Sequence, residues 1–132
     1  MSGKLAHLVG NLESALTRLE AALARPKDEF MRDSAIQRFE FTFELFWKTL
    51  KAVGDEAGLT SYAPRDALRE SFRLGLIDED PGWFQMLEDR NLASHTYSEK
   101  RAEAIYSRLA GHARMMRAAM GRVRERASKA GT

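Results

Sequence analysis

The sequence predicts an all-α protein, an up-and-down bundle of about five helices, three of them long. Three observations point there. No stretch alternates apolar and polar residues with the period of a strand, whereas apolar residues recur at spacings of three and four over long windows. The three prolines, Pro26, Pro64 and Pro81, each fall at an expected helix boundary. The 132 residues, 44% hydrophobic and 30% charged, suffice for one helical domain with one proper core over 1–132.

The first helix is expected from about Leu5 to Ala24. Leu5, Leu8, Leu12, Leu16, Leu19 and Leu23 form a single apolar stripe. Arg25-Pro26 stops it, because a residue before proline avoids helical angles. Asp28 is a suitable N-cap for a second helix ending near Ala57. Phe30, Ile36, Phe39, Phe41, Phe43, Leu45, Phe46, Trp47, Leu50 and Val53 surround most of it. A helix apolar on many sides is buried from several directions, so this one is expected at the centre and its aromatic run in the core. It is also a candidate to supply a subunit interface. Glu40, Glu44 and Lys48, one turn apart, share a face and form either a solvated stripe or the wall of a polar cleft.

Pro64 suits the first position of a third helix running to Leu74, with Gly75 as its stop. Asp80 then caps a fourth helix with Pro81 in its first turn and Trp83, Phe84, Met86 and Leu87 along it, ending near Ala93 or Ser94. Thr96 and Glu99 have capping-box spacing, so a fifth helix should open at Tyr97. Its inner face would be Ala102, Ile105, Leu109, Ala113, Met116 and Met120.

Several function classes are excluded or disfavoured. The chain has no cysteine, hence no disulfide framework and no thiolate metal site, which fits a reducing cytoplasm. No signal peptide and no membrane-spanning run is evident. No metal site is expected, because no His-x-x-x-His or Glu-x-x-His grouping occurs; nor is there a glycine-rich phosphate loop or a nucleophile elbow. Net charge is only +2, yet from about residue 114 the tail carries Arg114, Arg117, Arg122, Arg124, Arg126 and Lys129 against Glu125 alone. That tail is expected to be a solvated, fraying helix end, with phosphate attraction the alternative. His7 and His112 are expected on helix surfaces.

The stretch from Arg90 through Asn91 and His95 to Tyr97 is where chemistry is expected. With a helix ending near Ser94 and another opening at Tyr97, His95 would lie at a helix N-terminus, which attracts phosphate and keeps an imidazole neutral. Arg90 can hold a phosphate with two donors. On an unbroken helix the two would sit about 140° apart, so a break between them is needed for convergence. An imidazole base and a guanidinium suit attack of an RNA 2′-hydroxyl on the adjacent phosphorus without a metal. The acid for the leaving group would come from a second His95 across a two-fold axis. The plain alternative is capping and hydrogen bonding at a helix junction.

The run Ile36-Gln37-Arg38-Phe39-Glu40-Phe41-Thr42-Phe43-Glu44-Leu45, Trp47-Lys48, Pro64-Arg65, Gly75-Leu76-Ile77-Asp78 and Glu88 through Tyr97 resembles the HEPN proteins. More narrowly, it is similar to the small members known as nucleotidyltransferase substrate-binding subunits and as HepT-type toxins of HEPN/MNT toxin–antitoxin pairs. The resemblance spans the first helix into the fifth and implies a helical bundle that forms a homodimer. The family motif, Arg, a polar residue, three more residues and His, maps without departure onto Arg90, Asn91 and His95. The branch's further tyrosine maps onto Tyr97. In toxin members the Arg and His act in metal-independent RNA cleavage. The partner is a minimal nucleotidyltransferase (MNT), which uses ATP to adenylylate the tyrosine; this chain itself needs no cofactor. A member that serves only as the partner-binding subunit remains the alternative.

Overall fold

The computed structural model describes residues 2–95 and 98–130, with side chains as far as 128. Its elements are five α-helices in the order α1 (Gly3–Leu23), α2 (Glu29–Glu56), α3 (Pro64–Arg73), α4 (Gly82–Ala93) and α5 (Glu99–Ala130), and no strand occurs among the described residues. The ends follow local chemistry. The Ser2 hydroxyl accepts from the Leu5 amide at 3.1 Å and starts α1 two residues earlier than the apolar stripe suggests. The Asp28 carboxylate accepts from the Met31 amide at 2.7 Å and starts α2. Pro64 opens α3, as its fixed φ and missing N–H favour. Gly75 closes that helix at φ 73°, which lets the Leu76 amide reach back to the Ser71 carbonyl at 3.0 Å. At α4 the Asp80 carboxylate accepts from the Gly82 amide at 2.7 Å.

The start of α5 differs from expectation. It lies at Glu99, two residues beyond Tyr97. The Ser98 hydroxyl is the cap, accepting from the Arg101 amide at 3.3 Å, while the Ser98 carbonyl takes the first helical bond from Ala102. The Glu99 carboxylate accepts from Arg32 of α2. Thr96 itself lies outside the described residues.

α2 is the central element: it alone packs against each of the other four helices. Phe39, Phe43, Phe46, Leu50 and Val53 form its innermost row at spacings of four, three, four and three, and all are buried. Phe46 stacks on Trp83 of α4 with ring centroids 5.4 Å apart and planes 4° from parallel. The Leu stripe of α1 (Leu5, Leu12, Leu16, Leu19) and Ile105, Leu109 and Met116 of α5 complete the core. Two aromatic residues of α2 are not core: Phe30 is 81% exposed and Phe41 64%. Phe41 follows Phe39 by two residues, about 200° round the helix, so burying one ring exposes the other. No helix among the described residues is long and apolar enough to cross a membrane.

In the basic tail three arginines, Arg117, Arg122 and Arg124, are paired across the fold. Arg117 donates to Glu13 at 2.6 Å and to Glu20 at 2.5 Å, Arg124 donates to Glu13 at 3.1 Å, and Arg122 holds Asp78 at 2.9 Å. The acids that neutralise these three lie on α1 and on the α3–α4 loop, far away in sequence.

Candidate functional site

The sequence-predicted residues are Arg90, Asn91, His95 and Tyr97, with Glu40 and Glu44 as cleft-lining candidates. Four of these line one open cleft between α2 and α4, of about 490 Å³: Glu40, Glu44, Arg90 and Asn91, joined by Gln37, Phe41 and Ser94. Glu40 and Glu44, one turn apart on α2, both lie in its wall. Arg90 projects from the last turn of α4 toward α2, where its Nη2 donates to the Glu44 carboxylate and its Nη1 donates to Asn91 Oδ1 at 3.1 Å. Asn91 thus orients the guanidinium, and among the described residues no bond joins it to His95. Glu44 also accepts from Trp47 Nε1 at 3.2 Å and lies 3.4 Å from the Lys48 ammonium. Burial works against its charge, but the Trp47 and Arg90 hydrogen bonds outweigh it and hold the Glu44 carboxyl below the usual range. The cleft therefore contains a committed ion pair.

His95 is placed differently from expectation. It sits in the turn that follows α4, exposed, with its amide donating to the Leu92 carbonyl at 3.0 Å. Because α5 begins only at Glu99, His95 follows a helix C-terminus instead of opening a helix. The N-terminal amides and dipole expected to attract phosphate to it are four residues away. The required break after Arg90 is present: α4 ends at Ala93, so the two side chains are not fixed on opposite faces of one helix. Tyr97 lies outside the described residues.

Both ends of the segment carrying His95 are tied to α2. On the α4 side the Ser94 hydroxyl donates to Glu40 at 3.2 Å. On the α5 side Arg32, only 4% exposed, donates to Glu99 at 2.6 Å and to Glu103 at 3.1 Å, and also to Asp33 at 2.9 Å. Lys27 adds a second cation to Glu103. Hydrogen bonds from Arg32 and Lys27 hold the Glu99 and Glu103 carboxyls below their usual range.

A buried network next to the motif was not anticipated. Asp89, fully buried, accepts from Arg108 Nε at 2.8 Å and Nη2 at 2.7 Å, from Gln85 at 3.0 Å, and contacts His112 Nε2 at 2.7 Å. An ionised carboxylate is acceptor-only, so His112 Nε2 carries the hydrogen. Desolvation opposes ionisation of Asp89, yet the Arg108 and His112 hydrogen bonds prevail and its pKa falls to about 2. His112 stacks on Phe39 at 5.4 Å and is 4% exposed, contrary to the surface position expected for it. His7 is exposed and pairs with Asn11. The signal lay in spacing: His112 is seven residues after Ile105 and three after Leu109, on the inward face of α5. Among the described residues no group of three or more His, Asp or Glu side chains could hold a metal ion.

Comparison with known proteins adds a family. The model of the family described as "Nucleotidyltransferase substrate binding protein like" matches residues 8–125. A curated relative from Haemophilus influenzae (strain ATCC 51907 / DSM 11121 / KW20 / Rd), "Probable ribonuclease HepT", is 36% identical over 80 residues. That match spans 57% of this chain and 55% of the relative, about half its length. A crystal structure of a protein from Thermus thermophilus is 38% identical with a TM-score of 0.81, covering 86% of this chain and 98% of the other. A second solved structure, from Haemophilus influenzae, is described as revealing the fold of a substrate binding domain of a nucleotidyltransferase. It is 28% identical with a TM-score of 0.78, covering 88% of this chain and 98% of that one.

Proposed function

The chain belongs to the nucleotidyltransferase substrate binding protein-like family, and we propose that it is a HepT-type endoribonuclease toxin. It acts as a homodimer without a metal and is silenced by a minimal nucleotidyltransferase antitoxin that adenylylates Tyr97. What supports this reading most is the cleft that Arg90 and Asn91 share with Ser94, with His95 as the very next residue.

In the proposed reaction His95 takes the proton of an RNA 2′-hydroxyl. The 2′-oxygen bonds to the adjacent phosphorus, and the bond from phosphorus to the 5′-oxygen breaks. The products are a 2′,3′-cyclic phosphate and a 5′-hydroxyl, the latter protonated by His95 of the partner subunit. Arg90 stabilises the charge on the phosphate oxygens, and Asn91 keeps its guanidinium oriented. Silencing is a separate transfer: the Tyr97 phenol oxygen attacks the α-phosphorus of ATP on the partner enzyme and pyrophosphate leaves. The added phosphate blocks the cleft by volume and by charge.

The test uses purified protein in chelator. Wild type should yield RNA fragments with cyclic-phosphate ends, and His95→Ala should slow cleavage about 100-fold or more. Co-expression with the nucleotidyltransferase should add adenylyl mass that Tyr97→Phe abolishes. A wild-type dimer that cuts no cellular RNA, with growth on expression indifferent to His95→Ala, rules out the enzyme.

One observation favours a second reading, a non-catalytic subunit that presents substrate to the nucleotidyltransferase. Glu44 already occupies Arg90, and Glu40 adds another acid to the cleft. This reading predicts a stable complex with the nucleotidyltransferase and no cleavage at all.

A further inference from the structure

A second groove lies outside the Arg90 cleft. It runs between α1 and α2, encloses about 610 Å³, and has no acidic side chain in its wall. Arg18 and Asn11 of α1 face Arg38, Gln37 and Phe41 of α2 across it. The Thr42 hydroxyl donates to the Arg38 carbonyl of its own helix at 2.7 Å and lies 3.3 Å from the Ala15 carbonyl, which marks Ala15 and Thr42 as one level of the two antiparallel helices. Three residues on from Ala15 is Arg18, and four back from Thr42 is Arg38, so both guanidinium groups stand at one level of the hairpin. Among the described residues neither has a carboxylate partner; Arg38 has only the Ser34 hydroxyl at 3.4 Å. On the face of α1 turned toward α5 the situation is reversed, with Glu13 and Glu20 neutralising Arg117 and Arg124. Two unneutralised cations in an acid-free groove hold a positive potential suited to phosphates.

Phe41 gives the groove its second property. Its ring is 64% exposed, and Phe41 and Gln37 also line the Arg90 cleft. The two depressions therefore meet at one exposed aromatic ring on α2. Cations that track a backbone, beside a ring on which a base can stack, are the recurring elements of single-strand recognition.

We propose that the α1–α2 groove binds single-stranded RNA next to the Arg90 cleft: Arg18 and Arg38 take consecutive phosphates, and Phe41 stacks the base at the junction. The inference rests on the nuclease reading for its choice of RNA. It adds where the strand enters and predicts that a duplex binds less well, since a stacked, paired base has no free face for Phe41.

The probe is a fluorescent single-stranded oligonucleotide with 2′-O-methyl sugars, which cannot react because the nucleophile is blocked; binding is read by anisotropy over a salt series. Arg18→Glu with Arg38→Glu should weaken binding at least tenfold and flatten the log–log salt slope by about 1.4, the value for two single-strand phosphates. Phe41→Ala should weaken binding about fivefold or more with the salt slope intact. The milder pair Arg18→Gln with Arg38→Gln should move in the same direction, which covers the case of a charge-reversed chain that does not fold. Equal binding by wild type and both arginine pairs, or no binding by wild type, overturns the inference. So does conversion of a wild-type dimer to monomer by these substitutions in sedimentation, which would make the groove a contact between two copies. Failure of the parent reading looks different: wild type would bind the blocked strand through Arg18 and Arg38 yet cut no RNA. Cleavage left unchanged by Arg18→Glu with Arg38→Glu sinks the groove alone.

Discussion

Asp89→Asn isolates the buried network beside the motif and permits a quantitative test. The folded-state pKa of Asp89 is about 2, against an ordinary value of 3.8. A difference of that size corresponds to about 2 kcal/mol of folding free energy. The pKa is depressed on folding, so this stability is fully present above pH 4 and is lost as pH falls through 4 toward 2. Asparagine keeps the volume and one acceptor but cannot ionise. The variant should therefore be about 2 kcal/mol less stable than wild type at pH 7, and the gap should close toward zero near pH 2. Urea unfolding at fixed protein concentration across pH 7 to 2 reads the gap directly, and every other carboxylate cancels in the comparison. Asp89→Ala should cost about 3 kcal/mol at pH 7, the lower end for breaking a buried pair, because Arg108 is 39% exposed and can regain water. A gap that stays constant from pH 7 to pH 2, or one absent at pH 7, refutes the assignment of Asp89 as an ionised clamp between α4 and α5.

Three further outcomes follow from the packing. Phe46→Ala removes a fully buried ring stacked on Trp83 and should cost about 3–5 kcal/mol in thermal or urea unfolding; a loss under 2 would contradict the central place of α2. Gly75→Ala meets no neighbour within 4 Å, so only its backbone at φ 73° opposes the change; the expected loss is about 1 kcal/mol, and no loss would mean that the turn relaxes. Arg32→Met should leave the core intact but speed hydrogen exchange at the first-turn amides of α5, where Glu99 and Glu103 are held. Those carboxyls are depressed by Arg32, so the difference from wild type should vanish as acid protonates them.

Periodicity made the five helices and the central place of α2 legible, because burial of an apolar stripe is a local, repeating signal. Pairing across the fold was not legible. The tail arginines counted as excess charge only because Glu13, Glu20 and Asp78 lie far away in sequence. The Arg90 cleft was half legible: Glu40 and Glu44 share a face by spacing, but that one meets Ser94 and the other Arg90 depends on how α4 crosses α2. The start of α5 was misplaced because the hydroxyl that caps it belongs to Ser98, which the Thr-x-x-Glu pattern passes over. His112 was misjudged on residue type although its position on the inner face of α5 marked it as buried.

The strongest physical tie between sequence and site lies in α2. Arg32, Ile36, Glu40 and Glu44 occupy successive i+4 positions, one of the ridges a helix presents to its neighbours. Ile36 is buried, and the other three each hold a different part of the motif region: Arg32 takes the first turn of α5, Glu40 takes Ser94, and Glu44 takes Arg90. Twelve residues of helix span about 18 Å, so one rigid rod fixes both the ends of the His95 segment and the guanidinium beside it. The segment between those ties is short, and its two anchors cannot drift apart without breaking charge-assisted bonds. A phosphate entering the cleft then has one inexpensive route to Arg90, which is to share the guanidinium with Glu44. Nη1 carries two hydrogens and spends one on the neutral Asn91 amide, so the other can go to a phosphate oxygen while Asn91 and the ion pair to α2 stay in place.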